Sequence, residues 1–533
     1  MPQAPTSPPP GAPPAPTTAP PPVYQRRDLR RRTRRGTRQR LLRVGIVVAA
    51  VVVVLVGSGI GYTEYRSHQI SRVVVNGLTA IPPSGVQNVL LVGSTSRCAL
   101  KVQNPIYGLC SKGVNGVNSD VVMLLHLNPA RHSASILSIP RDLFVPNARS
   151  DGPNKIDAAL YQGPQQLVSA IEDDLGIPVQ HYVELNFDSF AGVVQALGGI
   201  DMYFPEPVYD AYSQLNIPKA GCRHLDGFQA LAVVRARHLQ YKAPGVKSND
   251  HATWPYDPQS DLSRIRRDHE FLRVLAGAVA KRGLGNPLTD NALLGAVAPQ
   301  LQVDSAYSLG SMLGDVLTFH GINPRSAPEL TLPVMTDSET YFYQGADYGS
   351  LVLANEPNDM NVVDRFLGVG PGVDPLTGKP LPAPAQVTVS VLNGTGTSGQ
   401  AATTGSALGA LGYRVAGTGD TASGGAVSET MVYYAPGHRA AAEQVVRSLS
   451  GAVAFGQGPT TDGAEVTVVT GSNFAVAAPT TPAPGSSSPG GGIPVTGPSS
   501  PSGSAVLAAP SPPTQALAPW DPRSCTASGG EGP

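Results

Sequence analysis

Positions 44–63 form a run of twenty uncharged residues rich in valine, and this run fixes where the rest of the chain can lie. At 1.5 Å per residue, a helix of that length spans about 30 Å, the thickness of a bilayer's hydrocarbon core. Residues 1–43 contain ten arginines and one acid, and such a cluster stays on the cytoplasmic side. We therefore expect a single transmembrane helix over 44–63, a cytoplasmic N-terminus and an extracytoplasmic bulk of the chain.

Two other interpretations of this N-terminal region are less favoured. A cleaved signal peptide would need a shorter leading region and an Ala-x-Ala site after the apolar run, and neither is present. The arginine cluster could bind nucleic acid, but its place directly before the apolar run makes it a topology signal with some affinity for anionic lipid. Residues 1–43 also lack the apolar periodicity of a DNA-reading fold, so a transcription regulator is not expected.

Composition divides the remainder into folded and unstructured segments. Glycine and proline supply 59 and 52 of the 533 residues, and charged residues make up only 14%. A segment built from Pro, Ser, Gly and Ala cannot bury enough apolar surface to offset its ordering entropy. The predicted segments are a disordered Pro-rich and Arg-rich cytoplasmic tail (1–43), a stalk (64–83), a first domain (84–368), a linker (369–385), a second domain (386–474) and a disordered tail (475–533).

Short apolar runs alternate with helical patterns inside both predicted domains. In the first domain the predicted strands are 86–93, 121–127 and 134–139, and the predicted helices are 165–175, 187–197, 227–237 and 262–282. In the second domain the predicted strands are 387–392, 429–434 and 465–469, and the predicted helices are 401–411 and 439–449. The alternation predicts a three-layer α/β first domain and a second, smaller α/β domain.

The four cysteines agree with a location outside the cytosol, where disulfides persist. Cys98 and Cys110 flank a loop of eleven residues, and a disulfide between them would stabilise the fold by about 3 kcal/mol. We favour that bridge over two free thiols. Cys222 and Cys525 could pair, or Cys525 could be free in the tail, because spacing alone does not fix the connectivity. No cysteine and histidine cluster has zinc spacing, so no structural metal is expected.

Arginines concentrate in two places in the first domain. Arg141 and Asp142 follow a predicted buried strand, and ligands of open α/β sheets bind beyond the carboxyl ends of strands. A second group of arginines lies near the end of the helix at 227–237 and the start of the helix at 262–282. Guanidinium groups bind phosphate oxygens in pairs and never lose their charge, so this pattern suits a diphosphate ligand. The alternative is a set of surface salt bridges.

Seven segments of the first domain resemble successive blocks of the LytR-CpsA-Psr family. They are LVGSTSR (91–97), NSDVVMLLHL (118–127), SIPRD (138–142), KIDAAL (155–160), LGGIDM (197–202), LDGFQALAVVRARH (225–238) and DLSRIRR (261–267). The second domain opens with VSVLNGTGTSGQA (389–401), which resembles the LytR C-terminal domain of actinobacterial members. The basic N-terminus and the single predicted span are also typical of the family.

The resemblance implies a three-layer α/β/α domain that holds a polyprenyl-pyrophosphate-linked glycopolymer in an apolar pocket. Such proteins transfer the phosphorylated end of the polymer to a hydroxyl of peptidoglycan, usually with Mg²⁺. The resemblance makes Asp120 the metal ligand and a catalytic residue, together with Arg141 and Arg237. It assigns the pyrophosphate to Arg141, Arg235, Arg237 and Arg264. Asp142 and Lys155 lie in matching motifs as supports for these residues.

Three positions depart from the family pattern. The family usually has Asp at the position of Thr95, where it helps to bind the metal, Arg at that of Asn118 and Gln at that of Asp268. A charged contact contributes about 1.5–3 kcal/mol, so losing one carboxylate and one guanidinium should weaken metal and phosphate binding. The alternative function is therefore a catalytically weak envelope protein that binds lipid-linked polymer or glycan without turnover.

Three further expectations concern the interior of the first domain. If lipid is bound, its place is predicted between the helices at 187–197 and 262–282. His126 lies on an apolar strand and is predicted to be a core histidine. Ser138 precedes the Pro-Arg-Asp turn, but no histidine or acid pattern in the sequence marks it as a nucleophile.

Overall fold

The computed structural model describes residues 68–98, 109–113, 116–282, 297–319, 321–322, 327–336, 340–421, 427–477 and 517–525. The predicted cytoplasmic tail (1–43) and transmembrane helix (44–63) lie outside these residues. No helix within the described ranges is long and apolar enough to cross a membrane. All the described residues belong to one structural unit, which includes both predicted domains.

Strands and helices of the first domain follow the predicted alternation. The strands are β1 (Ser71–Val73), β2 (Gln87–Ser94), β3 (Ser119–Asn128), β4 (Ser133–Ile139), β5 (Phe144–Arg149), β6 (Gly152–Lys155), β7 (His181–Leu185), β8 (Ile200–Phe204), β9 (Val208–Asp210), β10 (Leu215–Ile217), β11 (Gly221–Leu225), β12 (Gln240–Tyr241), β13 (Gln302–Asp304), β14 (Glu329–Thr331), β15 (Val334–Thr336), β16 (Tyr341–Tyr343), β17 (Ala346–Gly349) and β18 (Val352–Ala354). The helices are α1 (Pro164–Leu175), α2 (Phe187–Ala196), α3 (Gly227–Arg235), α4 (Ser260–Arg282), α5 (Leu309–Phe319) and α6 (Asn358–Leu367).

A seven-stranded sheet in the order β1-β13-β7-β2-β3-β4-β14 forms the centre of this domain. The strand β2 pairs antiparallel with β3 and parallel with β7, so the sheet is mixed. The long strands β2, β3 and β4 are the three predicted from continuous apolar runs. They lie inside the sheet, where neither face is open to water, and this position explains why their sequences do not alternate between apolar and polar residues.

Helices cover both faces of the central sheet. The helices α1 and α6 pack on the face that carries Leu90, Leu124 and Leu137. The helix α5 packs on the opposite face, at Val89 and Leu127. The helices α2, α3 and α4 lie over the same opposite face, further along the strands, and enclose a cavity there. The first domain is therefore a mixed α/β domain with three layers.

The second domain contains a five-stranded sheet and two helices. Its strands are β19 (Thr388–Asn393), β20 (Arg414–Asp420), β21 (Thr430–Tyr434), β22 (Leu449–Gly451), β23 (Val453–Gln457), β24 (Val466–Thr470) and β25 (Phe474–Val476), and its helices are α7 (Gln400–Ala410) and α8 (Arg439–Val446). The sheet order is β20-β19-β24-β21-β23. Both helices share one apolar core with one face of the sheet. The prediction of a second, smaller α/β domain is confirmed, and its sheet and helices form two layers.

The other face of the second sheet packs against the first domain. Phe144 of β5 and Tyr341 of β16 lie in one apolar cluster with Met431 of β21 and Ala454 of β23. The backbone N–H of Gly451 donates to the carbonyl oxygen of Glu356 at 2.9 Å, and the reverse bond has the same length. The two domains are therefore docked through a shared core.

The predicted stalk (64–83) extends too far into the chain. The strand β1 pairs parallel with β13 at the edge of the central sheet, and Ile70 and Val75 on either side of it are buried. The first domain thus begins before residue 84. Its first strand is only three residues long and mostly exposed, so the sequence carries no periodic signal that would reveal it.

The predicted disorder of 475–533 is wrong for the residues of this range that the structure describes. Residues 475 and 476 belong to β25, and residues 517–525 return to the first domain as a short segment that includes β26 (Arg523–Ser524). The strand β26 pairs with β8, and the Trp520 ring stacks on that of Tyr241 with centroids 4.1 Å apart. Composition missed this segment because its order comes from tertiary contacts and a covalent link.

Both cysteine pairs are bonded. The predicted disulfide between Cys98 and Cys110 is confirmed, with Cα atoms 5.1 Å apart. Cys222 and Cys525 form a second disulfide, with Cα atoms 5.8 Å apart, which settles the connectivity that the sequence left open. The second bridge joins β11 to the C-terminal segment across 303 positions of sequence.

Candidate active site

Asp120, on β3, is surrounded by guanidinium groups from three separate parts of the first domain. Arg141, in the turn after β4, forms an ion pair and a hydrogen bond with the Asp120 carboxylate. Arg264, on α4, donates from Nη2 to the backbone oxygen of Asp120 at 2.8 Å. The four guanidinium groups whose charges act on the carboxylate belong to Arg264, Arg141, Arg235 and Arg237. The structure therefore brings together the whole set that the resemblance assigns to metal and pyrophosphate.

The charge state of Asp120 follows from two opposing effects. Burial alone would raise the pKa of its carboxyl group, because a charged group loses hydration inside a protein. The surrounding guanidinium groups outweigh burial and hold the pKa below its ordinary value. Asp120 is therefore ionised at neutral pH and accepts a proton poorly, which suits a counter-ion or a metal ligand better than a general base.

A second carboxylate, Asp142, connects the rest of the cluster. Its oxygens lie 3.4 Å from Nε of Arg141, 3.5 Å from Nη2 of Arg237 and 3.5 Å from Nζ of Lys155. Arg141 thus contacts both Asp120 and Asp142. The predicted supporting residues, Asp142 and Lys155, lie directly beside the arginines, and their side chains are largely buried, which limits the ways in which the cluster can rearrange.

The end of the helix α3 explains how Arg235 and Arg237, two residues apart in the sequence, reach the same site. The helix begins at an Asp226 capping box and ends at Arg235, two residues before the predicted boundary. Ala236 is extended, with φ −68° and ψ 104°, so Arg237 lies beyond the helix on an irregular backbone. The Arg235 guanidinium lies over the Phe187 ring, 4.5 Å from its centroid, and this cation–π contact orients it.

An apolar cavity of about 140 Å³ lies between the central sheet and the helices α2, α3 and α4. Its polar end contains Ser94, Asp120, Arg235, Arg264 and Asp268. Its apolar wall contains Leu91, Met123, Phe187, Phe190, Leu231, Val234, Phe271 and Leu272. The cavity therefore lies between the two helices where the sequence predicted room for a lipid, and it meets the arginine cluster at one end.

Two of the residues that depart from the family pattern, Thr95 and Asn118, are neighbours in the structure. Thr95 and Asn118 bond to each other: the backbone N–H of Thr95 donates to the backbone carbonyl oxygen of Asn118 at 2.9 Å, and the backbone N–H of Asn118 donates to the Thr95 hydroxyl at 3.0 Å. The Asn118 amide group donates to Asp157 at 3.4 Å. Burial raises the pKa of Asp157 to about 6. The pair thus fills these positions with neutral hydrogen bonds in place of a carboxylate and a guanidinium.

The carboxylate oxygens at the polar end of the cavity could bind a magnesium ion only if a bound phosphate supplied further oxygens. Within the described part of the chain, no group of three His, Cys, Asp or Glu side chains is placed to hold a metal ion. Asp120 and Asp268 both reach the cavity, and Mg²⁺ is usually held by one or two carboxylates plus water and substrate phosphates. The protein thus offers two carboxylates, and phosphate oxygens would complete the coordination.

Sequence reasoning missed two polar features near the cavity. The Ser94 hydroxyl reaches the cavity, is buried and has no hydrogen-bond partner among the described residues. The Ser138 hydroxyl lies 2.5 Å from Nε2 of His269, whose Nδ1 is 3.6 Å from Glu329. Burial lowers the pKa of His269 to about 4, and Ser138 is 1% exposed, so this trio is an internal polar network. Neither feature has a local sequence signal, since its partners are far apart in the chain.

His126 is a core histidine, as predicted. It is buried, and its Nδ1 lies 2.8 Å from the Asn88 side-chain oxygen. Burial lowers the pKa of its imidazole to about 4, so the ring is neutral at physiological pH. Its place on β3 is therefore structural.

Residues 63–355 match the LytR_cpsA_psr family, and residues 386–474 match the LytR cell envelope-related transcriptional attenuator domain. The chain is 33% identical over 228 residues to the probable cell wall biosynthesis protein LcpB of Corynebacterium glutamicum, a match that covers 42% of this chain and 50% of that relative. The chain thus spans about half the length of that relative.

The chain is also similar to a named transferase and to one solved structure. The chain is 28% identical over 245 residues to the polyisoprenyl-teichoic acid–peptidoglycan teichoic acid transferase TagU of Bacillus anthracis, covering 44% of this chain and 70% of TagU. Among solved structures, the LytR-Csp2A-Psr enzyme from Actinomyces oris aligns with a TM-score of 0.44 and 24% identity, over 57% of this chain and 97% of that one.

Proposed function

The chain belongs to the LytR_cpsA_psr family, and we propose that it is a membrane-anchored, extracytoplasmic phosphotransferase. Its proposed reaction moves a glycopolymer from a polyprenyl pyrophosphate carrier to a hydroxyl of peptidoglycan. TagU, whose name describes a transferase acting on polyisoprenyl-linked teichoic acid and peptidoglycan, supports this class of reaction. The identity of the polymer is left open by the proposal.

One observation carries the proposal: the arginine cluster around Asp120 meets the polar end of an apolar cavity. A prenyl pyrophosphate has the same division into an anionic head and an apolar chain. Arginine pairs bind phosphate oxygens through parallel hydrogen bonds, and apolar side chains bury isoprenoid carbon. The head group would lie between Arg141, Arg237 and Arg264, with the chain against Phe187 and Phe271.

The chemical step needs positioning and charge neutralisation more than covalent help from the protein. The acceptor hydroxyl oxygen forms a bond to the phosphorus that carries the glycopolymer, and the bond from that phosphorus to the bridging oxygen breaks. Prenyl phosphate leaves with the bridging oxygen, and the hydroxyl proton passes to water. Arg141 and Arg264 are placed to neutralise the negative charge that accumulates on the phosphoryl oxygens in the transition state.

A magnesium ion is part of the proposal. Asp120 would hold it, with Asp268 as the second carboxylate at the polar end of the cavity. The ion would neutralise charge on the phosphate oxygens and hold them in place. Because the usual family carboxylate is replaced by Thr95, binding of Mg²⁺ to the protein alone is expected to be weak, with the pyrophosphate supplying the remaining oxygens.

The predicted anchor supports the same function. A lipid-linked polymer outside the cytosol remains in the outer leaflet of the membrane, so an enzyme tethered by a helix at 44–63 would stay close to its substrate. The affinity of the free catalytic domain for the carrier could then be modest, because the tether raises the effective concentration of enzyme and substrate.

The direct test is phosphate release from geranylgeranyl diphosphate by the full chain reconstituted in lipid vesicles with Mg²⁺. Water then replaces the acceptor hydroxyl, and the products are geranylgeranyl phosphate and inorganic phosphate. We expect steady release by the wild-type chain and a loss of about 100-fold or more in Arg141→Ala and Arg237→Ala, since each removes a charge-neutralising donor.

Arg223→Ala is the matched control, because among the described residues the Arg223 guanidinium, on β11, donates to the backbone oxygens of Lys219 and Ala220, which directly precede that strand. This variant should keep wild-type turnover. Tight binding of geranylgeranyl diphosphate without any release, with or without Mg²⁺, would favour the alternative of a binding protein. Absence of both binding and release would reject the proposed function.

A further inference from the structure

The C-terminal segment 517–525, here called the C-terminal strap, is fixed to the first domain by several independent contacts. Cys525 is bonded to Cys222 on β11. The Ser524 N–H and hydroxyl both donate to the Glu270 carboxylate on α4, each at 2.7 Å. These contacts bring the end of the chain against α4, the helix that also carries Arg264.

The strap places one carboxylate, Asp521, in the interior beneath the active site. Asp521 is fully buried, and its oxygens lie 3.1 Å from Nε of Arg266 and 3.4 Å from Nη1 of Arg267. Arg267 is also fully buried and pairs with Asp257 at 2.9 Å. Two arginines and two aspartates thus form a buried cluster whose charges balance, and one of its four members comes from the far end of the chain.

Arg267 connects this buried cluster to the arginines of the site. Its Nη2 donates to the backbone oxygen of Ala236, the residue between Arg235 and Arg237. Arg267 also lies one helical turn after Arg264 on α4. A single guanidinium, held in place partly by Asp521, therefore links α4 to the irregular backbone that directs Arg235 and Arg237 toward Asp120.

We propose that Asp521 is a positioning residue for the transferase site. By neutralising Arg266 and Arg267, the strap keeps the Arg267 guanidinium on the Ala236 oxygen and so fixes where Arg235 and Arg237 present their charges. The predicted effect on phosphate release rests on the proposed function. The predicted effect on pyrophosphate binding rests on geometry alone. The C-terminal strap is thereby part of the first domain's active-site architecture, although about 150 residues of sequence separate it from the rest of that domain.

The physical reason is the cost of an unbalanced buried charge. Without the Asp521 carboxylate, the buried Arg266 and Arg267 guanidinium groups lose the ion-pair partner that they share, and the unbalanced positive charge is stabilised best by rearrangement toward water or toward other acceptors. Either rearrangement loosens the bond from Arg267 to Ala236. Ala236 and Arg237 follow the last residue of α3 on a segment without regular secondary structure, so Arg237 would then sample several positions and the backbone next to Arg235 would be less well fixed.

The test compares the full chain with Asp521→Asn, which has nearly the same shape without the charge. Calorimetry measures the Kd for inorganic pyrophosphate, and phosphate release from geranylgeranyl diphosphate gives KM and kcat, at a temperature where circular dichroism shows both proteins folded. We expect Kd and KM to rise about tenfold in Asp521→Asn, the effect of weakening one charged contact. A purely structural role would instead lower kcat through the folded fraction and leave Kd and KM unchanged.

Ser524→Ala is the matched control, because it removes a strap contact to Glu270 without touching the arginines. It should keep the wild-type Kd and KM. Wild-type constants in Asp521→Asn, or an equal rise in Ser524→Ala, would overturn the inference. If Asp521→Asn fails to fold, Arg267→Lys keeps the positive charge but loses the guanidinium fork that reaches both Asp521 and the Ala236 oxygen, and an unchanged Kd in that variant would likewise overturn the inference.

The same measurements separate this inference from the proposed function. A wild-type chain that binds pyrophosphate but releases no phosphate would reject the transferase, while the comparison of Kd values would still decide the role of Asp521. A wild-type chain that does not bind pyrophosphate would reject both.

Discussion

Arg141 contacts both carboxylates of the site, and this double contact shows how the cluster is preorganised. The ion pair with Asp120 and the 3.4 Å contact with Asp142 fix its guanidinium before any ligand arrives. Arg235 is similarly fixed by the Phe187 ring. Side chains that are already ordered lose little entropy on binding, so more of the electrostatic attraction remains as affinity for a phosphate ligand.

Thr95→Asp tests the consequence of the missing carboxylate. The new side chain can still accept the hydrogen bond from Asn118 N–H, and it adds a negative charge near Asp120. We expect the Mg²⁺ concentration that gives half-maximal phosphate release to fall about tenfold, because a carboxylate contact to a cation is worth about 1.5–3 kcal/mol. The measurement is a magnesium titration of phosphate release from geranylgeranyl diphosphate.

Thr95→Asn is the control, since it has the same size as the aspartate and no charge. It should leave the magnesium dependence unchanged. An identical titration curve for Thr95→Asp and the wild type would contradict a metal site at this end of the cavity.

Motifs identified the charged residues of the site and two of their supports, Asp142 and Lys155, but not its other buried polar neighbours. The predicted set around Asp120 lies in one cluster, because each member belongs to a short block whose position in this fold is fixed. Asp521 and Ser94 could not be found in this way. Asp521 lies in a tail that composition classes as disordered, and its order depends on a disulfide and on an ion pair across 254 positions of sequence.

At the scale of elements, the start of the helix α6 brings a carboxyl pair to the interface between the domains, with Asp359 on the helix and Glu356 two residues before it. Asp359 and Glu356 are both buried there, and Glu356 also exchanges backbone hydrogen bonds with Gly451 of the second domain. Burial raises the pKa of each carboxyl group, and the pair titrates as a unit. The folded protein therefore keeps protons at this interface that the unfolded chain releases above a pH of about 4.

Asp359→Asn tests this linkage. Because the folded-state pKa is raised, stability from the protonated pair is fully present below the unfolded pKa and is lost as the pH rises through the folded one. Asparagine cannot ionise and can still accept the bond from Asn355 N–H. The quantity to compare is the Tm of the variant minus the Tm of the wild type, measured by calorimetry. We expect this difference to be about 3 °C larger at pH 9 than at pH 5.

Asp347→Asn, which replaces an exposed acid, serves as the control. Its Tm should differ from that of the wild type by the same amount at both pH values. A Tm difference between Asp359→Asn and the wild type that does not change with pH would contradict the linkage.

Elements with strong periodicity were predictable, and short or exposed ones were not. The helices α1, α2 and α4 and the strands β2, β3 and β4 match the predictions within a few residues, because each buries a long apolar pattern. The strands β9, β10 and β12 have two or three residues each, too few to show a period. The predicted helix at 227–237 ended early, and that early end is what lets Arg237 reach the site.

At the scale of the whole molecule, three distant parts of the chain converge on the first domain. The central sheet takes its edge strand β1 from the predicted stalk, and α4 takes the strap from the C-terminus. The second domain docks on the side of β5 and β16, away from the cavity-lining helices. The proposed site is thus built by the first domain and the strap, and none of the described residues that line the cavity belongs to the second domain.

The most direct measurement of the central claim is photo-crosslinking of the full chain in vesicles with a prenyl diphosphate that carries a benzophenone in its apolar chain. We expect mass spectrometry to find labelled residues on α2 and α4, at or beside Phe187 and Phe271. Excess geranylgeranyl diphosphate and the Arg141→Ala variant should both reduce the labelling. Labelling confined to residues outside the cavity, or unaffected by the unlabelled diphosphate, would contradict the account.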